Sequence, residues 1–129
     1  MKLWDKGISI DKKIEQFTVG NDREIDLYIA KYDVQASLAH AKMLHKIGIL
    51  SAKELQQLEG GLSVLAKQIE AGTFVIENQF EDVHSKIEFK LTKALGEVGK
   101  KIHTARSRND QVLVALQLFY KESLTQIHN

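Results

Sequence analysis

The sequence predicts an all-α protein on the strength of three observations. Proline is absent from the 129 residues, so long helices can form without the kinks that proline causes. Apolar residues recur at spacings of three and four in four separate segments, which is the spacing of one helix face. Residues 51–54, Ser-Ala-Lys-Glu, form a capping-box pattern that is typical of a helix N-terminus.

The first half of the chain is expected to contain two helices. Residues 1–21 show no sustained period and are predicted to form an extended arm with short turns. A helix is predicted from Asp22 to Lys46, with the side chain of Asp22 as its N-terminal cap. A second helix is predicted from Ser51 to Gly72, where leucines repeat along one narrow seam, and residues 73–80 should form an extended link.

Two further helices are predicted in the second half. The third runs from Asp82 to Leu95, after which Gly96 and Gly99 are expected to loosen the chain. The fourth begins at Ser107 and continues to the last residues, and apolar side chains cover most of its circumference. Because such a helix normally lies among several others, we expect that it leaves a large apolar surface uncovered and that the chain is the first part of a larger protein.

The composition excludes several classes of protein. Lysine and arginine number 18 against 17 aspartates and glutamates, and the net charge of +1 excludes a globally basic nucleic-acid wrapper and an acidic tail. Because cysteine is absent, disulfides, thiolate zinc sites and cysteine nucleophiles are excluded. No run of about 18 apolar residues is present, and no apolar stretch follows Lys2, so neither a membrane span nor a secretory signal is expected.

Residues 100–111 are the segment best suited to bind an anion. The segment is basic and leads into the fourth helix, with Ser107 as the N-cap candidate and Asp110 as its capping-box partner. Backbone amides at the helix start, the guanidinium of Arg108 and the amide of Asn109 together suit a carboxylate or a phosphate. The alternative is an ordinary capped helix with solvated arginines. Binding to nucleic acid is disfavoured because the rest of the chain has no basic stripe.

Two other segments place carboxylates at predicted helix starts. Asp82 can cap the third helix, and His84 and Glu88, one turn apart, can pair so that the carboxylate fixes the imidazole tautomer. Asp22 and Asp26, also one turn apart, can receive a cation such as a guanidinium group. Helix capping and a surface His–Glu pair explain the same patterns, and the spacing is too weak a signal to predict a metal site.

Four blocks of sequence occur in a fixed order along the chain. They are MKLW at 1–4, YDVQASLAHAKML at 32–44, EDVH at 81–84 and HTARSRNDQV at 103–112. In that order and at that spacing they resemble the argininosuccinate lyase family of the fumarase/aspartase superfamily. The Ser-Arg-Asn-Asp-Gln part of the last block is specific within the superfamily, and the resemblance extends over essentially the whole chain.

The resemblance implies an all-α fold in two parts, namely an N-terminal helical arm domain at 1–106 and the truncated start of a long central helical bundle at 107–129. It implies a cytoplasmic homotetramer that cleaves argininosuccinate to arginine and fumarate by β-elimination, the last step of arginine biosynthesis. No metal, organic cofactor, nucleic acid or membrane is implied as a partner, and each active site would combine segments of three subunits.

The resemblance also implies which residues bind substrate. The matching positions are Ser107, Arg108, Asn109, Asp82, His84, Asp26 and Asp22. The first three would hold the carboxylates on the fumarate side, and Asp26 would lie near the arginine moiety. The family's general acid and base lie beyond position 129, so this chain is expected to contain no catalytic residue and to be inactive alone.

The chain departs from the family pattern in three places. Residues 5–7, Asp-Lys-Gly, replace a usual Gly-Gly-Arg-Phe; Asp22 stands where the family commonly has a serine that contacts substrate; and Ala105 replaces a usual glycine. Two other functions stay open as alternatives. One is a non-catalytic structural or binding protein derived from the lyase fold, and the other is an unrelated helical interaction module with an anion-binding loop.

Overall fold

The computed structural model describes residues 11–128, except for the side chain of Glu15, and every regular element in this range is helical. The α-helices are α1 (Lys12–Val19), α2 (Asp22–Ile25), α3 (Ala30–Lys46), α4 (Ala52–Glu70), α5 (Val83–Leu95), α6 (Glu97–Lys100) and α7 (Arg108–His128). Two 3₁₀ turns lie at Asp26–Tyr28 and Lys101–His103. The prediction of an all-α protein is confirmed. Residues 1–10, with the first of the four sequence blocks, lie outside the described range.

The expected extended arm is wrong for residues 12–19, which form α1. Asp11 caps this helix, because its carboxylate accepts a hydrogen bond from the backbone amide of Lys13 at 2.8 Å. Gly20, with φ +52°, ends it. An N-terminal cap and a C-terminal glycine therefore accompany a helix whose sequence has no sustained repeat of apolar residues.

The first predicted helix, 22–46, is interrupted rather than continuous. Asp22 is the first residue of the short α2 and not its cap; the cap position is Asn21, which makes no side-chain capping bond. Long-range hydrogen bonds explain the interruption. Arg23 donates to the carbonyl groups of Phe80 and Asn78, and Asp26 accepts from the backbone at the start of α5. These contacts hold the α2 region against the link before α5.

The core lies between α3, α4 and α5. The predicted seam of α4 is at its centre, where Leu58, Leu62 and Leu65 are buried; burial of such a side chain contributes about 1.5–3 kcal/mol. The predicted capping box is also present. The amide of Ser51 donates to the carboxylate of Glu54 at 2.9 Å, and the amide of Glu54 donates to the hydroxyl of Ser51 at 3.2 Å.

The adjacent glycines of α4 have different surroundings. A Cβ atom at Gly61 would lie 2.8 Å from Leu91 Cδ2 and 3.3 Å from Leu95 Cδ1, whereas nothing lies within 4 Å of one at Gly60. We expect Gly60→Ala to raise the free energy of unfolding by about 1 kcal/mol, which is the difference in helix propensity. Gly61→Ala gains the same propensity but displaces a buried leucine, which costs about 1–3 kcal/mol.

Urea titrations of the two variants, followed by circular dichroism, test this difference. The variants share one helix and one chemical change, so each is the control for the other. Equal stabilisation by Gly61→Ala and Gly60→Ala would contradict the close contact between α4 and α5.

The extended link and the cap of α5 are as predicted. Residues 73–80 contain no helix, and Phe74 and Phe80 are buried against the core. The carboxylate of Asp82 accepts a hydrogen bond from the amide of Ser85 at 2.7 Å and so caps α5. The link therefore fixes where α5 begins, which matters because two predicted site residues lie at that point.

The segment between α5 and α7 is more regular than expected. Gly96, with φ +61°, ends α5 in a conformation that suits glycine, but α6 and a 3₁₀ turn follow at once. Gly99 is buried, and a Cβ atom there would overlap the backbone carbonyl of Leu91. The expectation that both glycines loosen the chain is wrong for Gly99, because this residue lets α6 pack against the backbone of α5.

The last helix, α7, packs along α3 and leaves much of its surface open. Its exposed large apolar residues are Leu113, Val114, Tyr120, Leu124 and Ile127. The expected uncovered apolar surface is thus present, and Ile127 is 81% exposed. Within residues 11–128 no helix has both the length and the apolarity that crossing a bilayer requires. The division into domains at 106/107 stays a prediction.

Candidate functional site

Three carboxylates gather at the start of α5. Asp26 accepts a hydrogen bond from the amide of Val83 at 3.0 Å and so lies against the first turn of this helix. Burial raises the pKa of Asp26, and the neighbouring carboxylates of Asp82 and Asp22 raise it further. We call Asp22, Asp26 and Asp82 the acidic cluster. Because like charges disfavour one another here, the cluster favours the approach of a cation.

The basic turn, residues 105–109, leads into α7. The hydroxyl of Ser107 accepts a hydrogen bond from the amide of Asp110 at 3.1 Å, and the Asp110 carboxylate accepts from the amide and the hydroxyl of Ser107 at 2.9 and 2.8 Å. The predicted capping box is formed, and the Ser107 hydroxyl is committed to it. Asn109 is exposed, and its side chain makes no hydrogen bond within residues 11–128.

Arg108 extends from the start of α7 to α5. Its Nη1 donates to Oε1 of Gln111 at 2.9 Å, and its Nη2 lies 3.5 Å from Oε2 of Glu88. Nε2 of His103 lies 2.9 Å from the same Glu88 oxygen. His103 and Arg108 hold the pKa of Glu88 below its ordinary value. The guanidinium is therefore fixed on two sides.

The predicted pairing of His84 with Glu88 is wrong. His84 is buried rather than exposed, and its Nδ1 lies 2.9 Å from Oδ2 of Asp33 on α3. Glu88 instead contacts the segment that leads into α7. The two side chains are one turn apart on α5, but α5 lies between two neighbours, and each side chain takes its partner from a different one.

A buried network that the sequence analysis missed joins α3, α5 and α7. Asp33, His84 and Gln111 are 0%, 2% and 2% exposed. Nε2 of Gln111 donates to both carboxylate oxygens of Asp33, at 2.9 and 3.0 Å. Burial alone would raise the pKa of Asp33, but the hydrogen bonds from His84 and Gln111 and the charge of Arg106 outweigh burial and hold its pKa below the ordinary value.

The signal that could have revealed this network is a polar residue on an apolar helix face. Asp33 and Ser37 are one turn apart on α3 and share a buried row with Ile29 and Ala41. A buried carboxylate requires donors. The Gln111 donor lies 78 residues further along the chain, so sequence spacing alone does not identify it.

Ala105 has a left-handed backbone, with φ +55°, and is the one non-glycine residue of 11–128 that does. It immediately precedes Arg106, whose Nη1 and Nη2 donate to the hydroxyl of Ser37 at 3.2 and 3.3 Å. The left-handed conformation costs an L-residue about 1–2 kcal/mol. We expect Ala105→Gly to raise the free energy of unfolding by about 1 kcal/mol, measured by denaturant titration.

The matched control for this prediction is Ala94→Gly. Ala94 is exposed in the helical part of α5, so the same substitution should there lower stability by about 1 kcal/mol. A fall in stability for both variants would show that Ala105 is not strained.

Apart from Nε2 of His103, whose close contact is the Glu88 carboxylate at 2.9 Å, three buried polar atoms beside these groups have no hydrogen-bond partner within the described chain. They are Oγ of Ser85, Nε of Arg106 and Nε of Arg108. Leaving such an atom unpaired costs about 1–3 kcal/mol, so a ligand or water that reaches them gains hydrogen bonds. In the described part of the chain, no group of three or more histidine or carboxylate side chains is arranged to hold a metal ion.

Comparison with known proteins identifies the family. A family model described as lyase matches residues 7–129. The chain belongs to this lyase family. This lyase chain is similar to proteins named argininosuccinate lyase from three bacteria. The protein of Bacteroides thetaiotaomicron is 53% identical over 98% of this chain and 28% of its own length. The proteins of Thermotoga neapolitana and Stenotrophomonas maltophilia are 52% and 51% identical, over 98% and 97% of this chain and 32% and 29% of their own lengths. The lyase chain therefore spans less than a third of the length of the curated relatives that it matches.

The resemblance predicted from the four sequence blocks is confirmed by these matches. In this lyase chain the predicted substrate-binding residues fall into three groups. The acidic cluster contains Asp22, Asp26 and Asp82, and His84 belongs to the buried network. The remaining residues, Ser107, Arg108 and Asn109, lie in the basic turn. Their roles in binding substrate stay predictions.

Proposed function

We propose that this chain is part of an argininosuccinate lyase, which cleaves argininosuccinate to arginine and fumarate by β-elimination in the last step of arginine biosynthesis. The observation that carries the proposal is the presence of a basic turn at the start of α7 and an acidic cluster at the start of α5, in a chain about half identical to proteins of that name. The substrate has the matching polarity, with carboxylates at one end and a guanidinium group inside an arginine moiety at the other.

The basic turn is proposed to hold carboxylates of the substrate. The first amides of a helix have no partner within it, and the positive end of the helix dipole favours an anion. Arg108 is held near the start of α7 by Gln111 and Glu88 and keeps a free Nε, and the exposed Asn109 adds an amide donor. Ser107 contributes by forming the turn, because its hydroxyl is bonded to Asp110.

The acidic cluster is proposed to receive the arginine moiety. Burial and mutual repulsion raise the pKa of Asp26, and a guanidinium group beside it would favour the ionised form. Planar guanidinium groups bind carboxylates through paired hydrogen bonds. Asp22 stands at a position where a serine that contacts substrate is common in the family. We propose that Asp22 contributes to the cluster through its negative charge instead.

The chemical step is proposed to need residues outside this chain. β-Elimination requires a base that removes a proton next to a carboxylate and an acid that protonates the leaving guanidinium nitrogen. We assign neither role here, so the chain alone should be inactive. The active protein is proposed to be a cytoplasmic homotetramer without metal or organic cofactor, with sites built from several subunits.

A chimera tests the proposal directly. The chain replaces the matching 126-residue region of the Bacteroides thetaiotaomicron lyase, and release of fumarate from argininosuccinate is followed by ultraviolet absorbance. We expect activity from the chimera and none from the chain by itself. A chimera that folds, as judged by circular dichroism, but releases no fumarate would contradict the proposal and favour the non-catalytic alternative.

A further inference from the structure

The buried carboxylate of α3 lies outside every role assigned so far. We propose that Asp33 is a positioning residue that fixes one tautomer of His84 and orients both arginines of the basic turn. The inference rests on the proposed function for its catalytic consequence, whereas its geometric part concerns the described residues alone.

All hydrogen bonds at Asp33 run in one direction. An ionised carboxylate only accepts hydrogen bonds, and Asp33 is held in its ionised form. Nδ1 of His84 at 2.9 Å must therefore carry a proton and donate it, and Gln111 must present its amide nitrogen, at 2.9 and 3.0 Å. The hydroxyl of Ser37 donates to the same carboxylate at 3.3 Å. The proton positions of the network are thus determined by one side chain.

Two branches of the network begin at arginines and end at Asp33. In the first, Arg108 donates to Oε1 of Gln111, which leaves only the Gln111 amide nitrogen for Asp33. In the second, Arg106 donates a hydrogen bond to the hydroxyl oxygen of Ser37, and this hydroxyl donates a hydrogen bond to Asp33. Without the carboxylate, neither branch has an acceptor at its end, so Arg106 loses the anchor that this network supplies, and Arg108 keeps its contact with Glu88 but not a fixed Gln111.

The fixed tautomer also defines what His84 offers to a ligand. With the proton of the neutral ring on Nδ1, Nε2 can only accept a hydrogen bond. A hydrophobic residue of similar volume would avoid the desolvation cost of a buried carboxylate. What such a residue cannot supply is the acceptor that sets the direction of these bonds, and for this reason we assign Asp33 to positioning rather than to packing.

The test compares Asp33→Ala with Val34→Ala in the lyase chimera. Val34 is the next residue of α3 and is also buried, but it is not part of the network, so its truncation reports the cost of lost packing. The chimera is labelled with ¹⁵N-histidine, and magic-angle-spinning NMR reads which ring nitrogen is protonated. A His84→Gln variant assigns the His84 signals by difference.

We expect a protonated Nδ1 and a bare Nε2 at His84 in the parent and in Val34→Ala, and a mixture of tautomers in Asp33→Ala. Removing the carboxylate partner of a metal-bound histidine typically lowers activity about 10–100-fold, and by analogy we expect kcat/KM of Asp33→Ala to fall about 10-fold or more below Val34→Ala. A single unchanged tautomer in Asp33→Ala, or a parent protonated at Nε2, would overturn the inference. In an active chimera, equal activity of the two variants would overturn it as well.

A second variant keeps the inference testable if Asp33→Ala does not fold. Ser37→Ala removes only the branch to Arg106, so KM should rise while the His84 tautomer stays on Nδ1; an unchanged KM would count against this branch. The NMR result is independent of turnover. An inactive chimera with the expected tautomers would therefore reject the proposed function and leave the positioning geometry standing.

Discussion

Replacing Asn109 by alanine is expected to lower turnover of the complete lyase by about 10²–10³-fold, the loss seen when one donor to a developing negative charge is removed. Asn109 lies at the start of α7, is exposed, and has no hydrogen-bond partner within residues 11–128. Its amide is therefore free to donate to a substrate carboxylate whose charge changes during elimination. Initial rates of fumarate release in the chimera measure the effect.

The matched control is Gln117→Ala, which removes an exposed amide from the same helix away from the basic turn. Its rate should stay close to the parent rate. If Asn109→Ala is as active as Gln117→Ala, Asn109 does not belong to the site.

Replacing Phe80 by alanine is expected to lower the free energy of unfolding by about 3–5 kcal/mol. The ring is completely buried, its centroid lies 5.1 Å from that of Phe89, and Nζ of Lys86 lies 4.8 Å from it. The loss is a large part of the stability of a typical domain. Because the carbonyl of Phe80 also accepts a hydrogen bond from Arg23 at 2.7 Å, the position of α2 beside α5 should loosen as well.

Phe17→Ala provides the comparison, since the Phe17 ring is 89% exposed. Its effect on stability should stay within about 0.5 kcal/mol. Guanidinium titrations of both variants give the two free energies. A Phe80→Ala protein within 1 kcal/mol of Phe17→Ala would rule out Phe80 as a central core residue.

The elements that the sequence predicted correctly are those with local causes. The capping box at Ser51 and Glu54 and the cap at Asp82 depend on residues three apart, and the leucine seam of α4 is a simple helical repeat. The interruption before α3 was not predictable in this way, because Arg23 and Asp26 take their partners more than fifty residues away.

The candidate site shows the same division. The capping box of Ser107 follows from its spacing to Asp110 and was predicted. The partner of His84 was predicted wrongly, because helix spacing places Glu88 within reach but says nothing about the neighbouring α3, which supplies Asp33. A buried carboxylate takes whichever donors the packed helices bring to it, and packing is not visible in one segment of sequence.

In the proposed tetramer, the one-sided packing of α7 would couple folding to assembly. The leucine, valine and isoleucine side chains of α7 that now face solvent would leave water only when subunits meet, so the same burial would drive both events. Stability that depends on association increases with protein concentration. The midpoint temperature of thermal unfolding should therefore increase with protein concentration. On dilution, the enzyme should lose activity by dissociation before its individual subunits unfold.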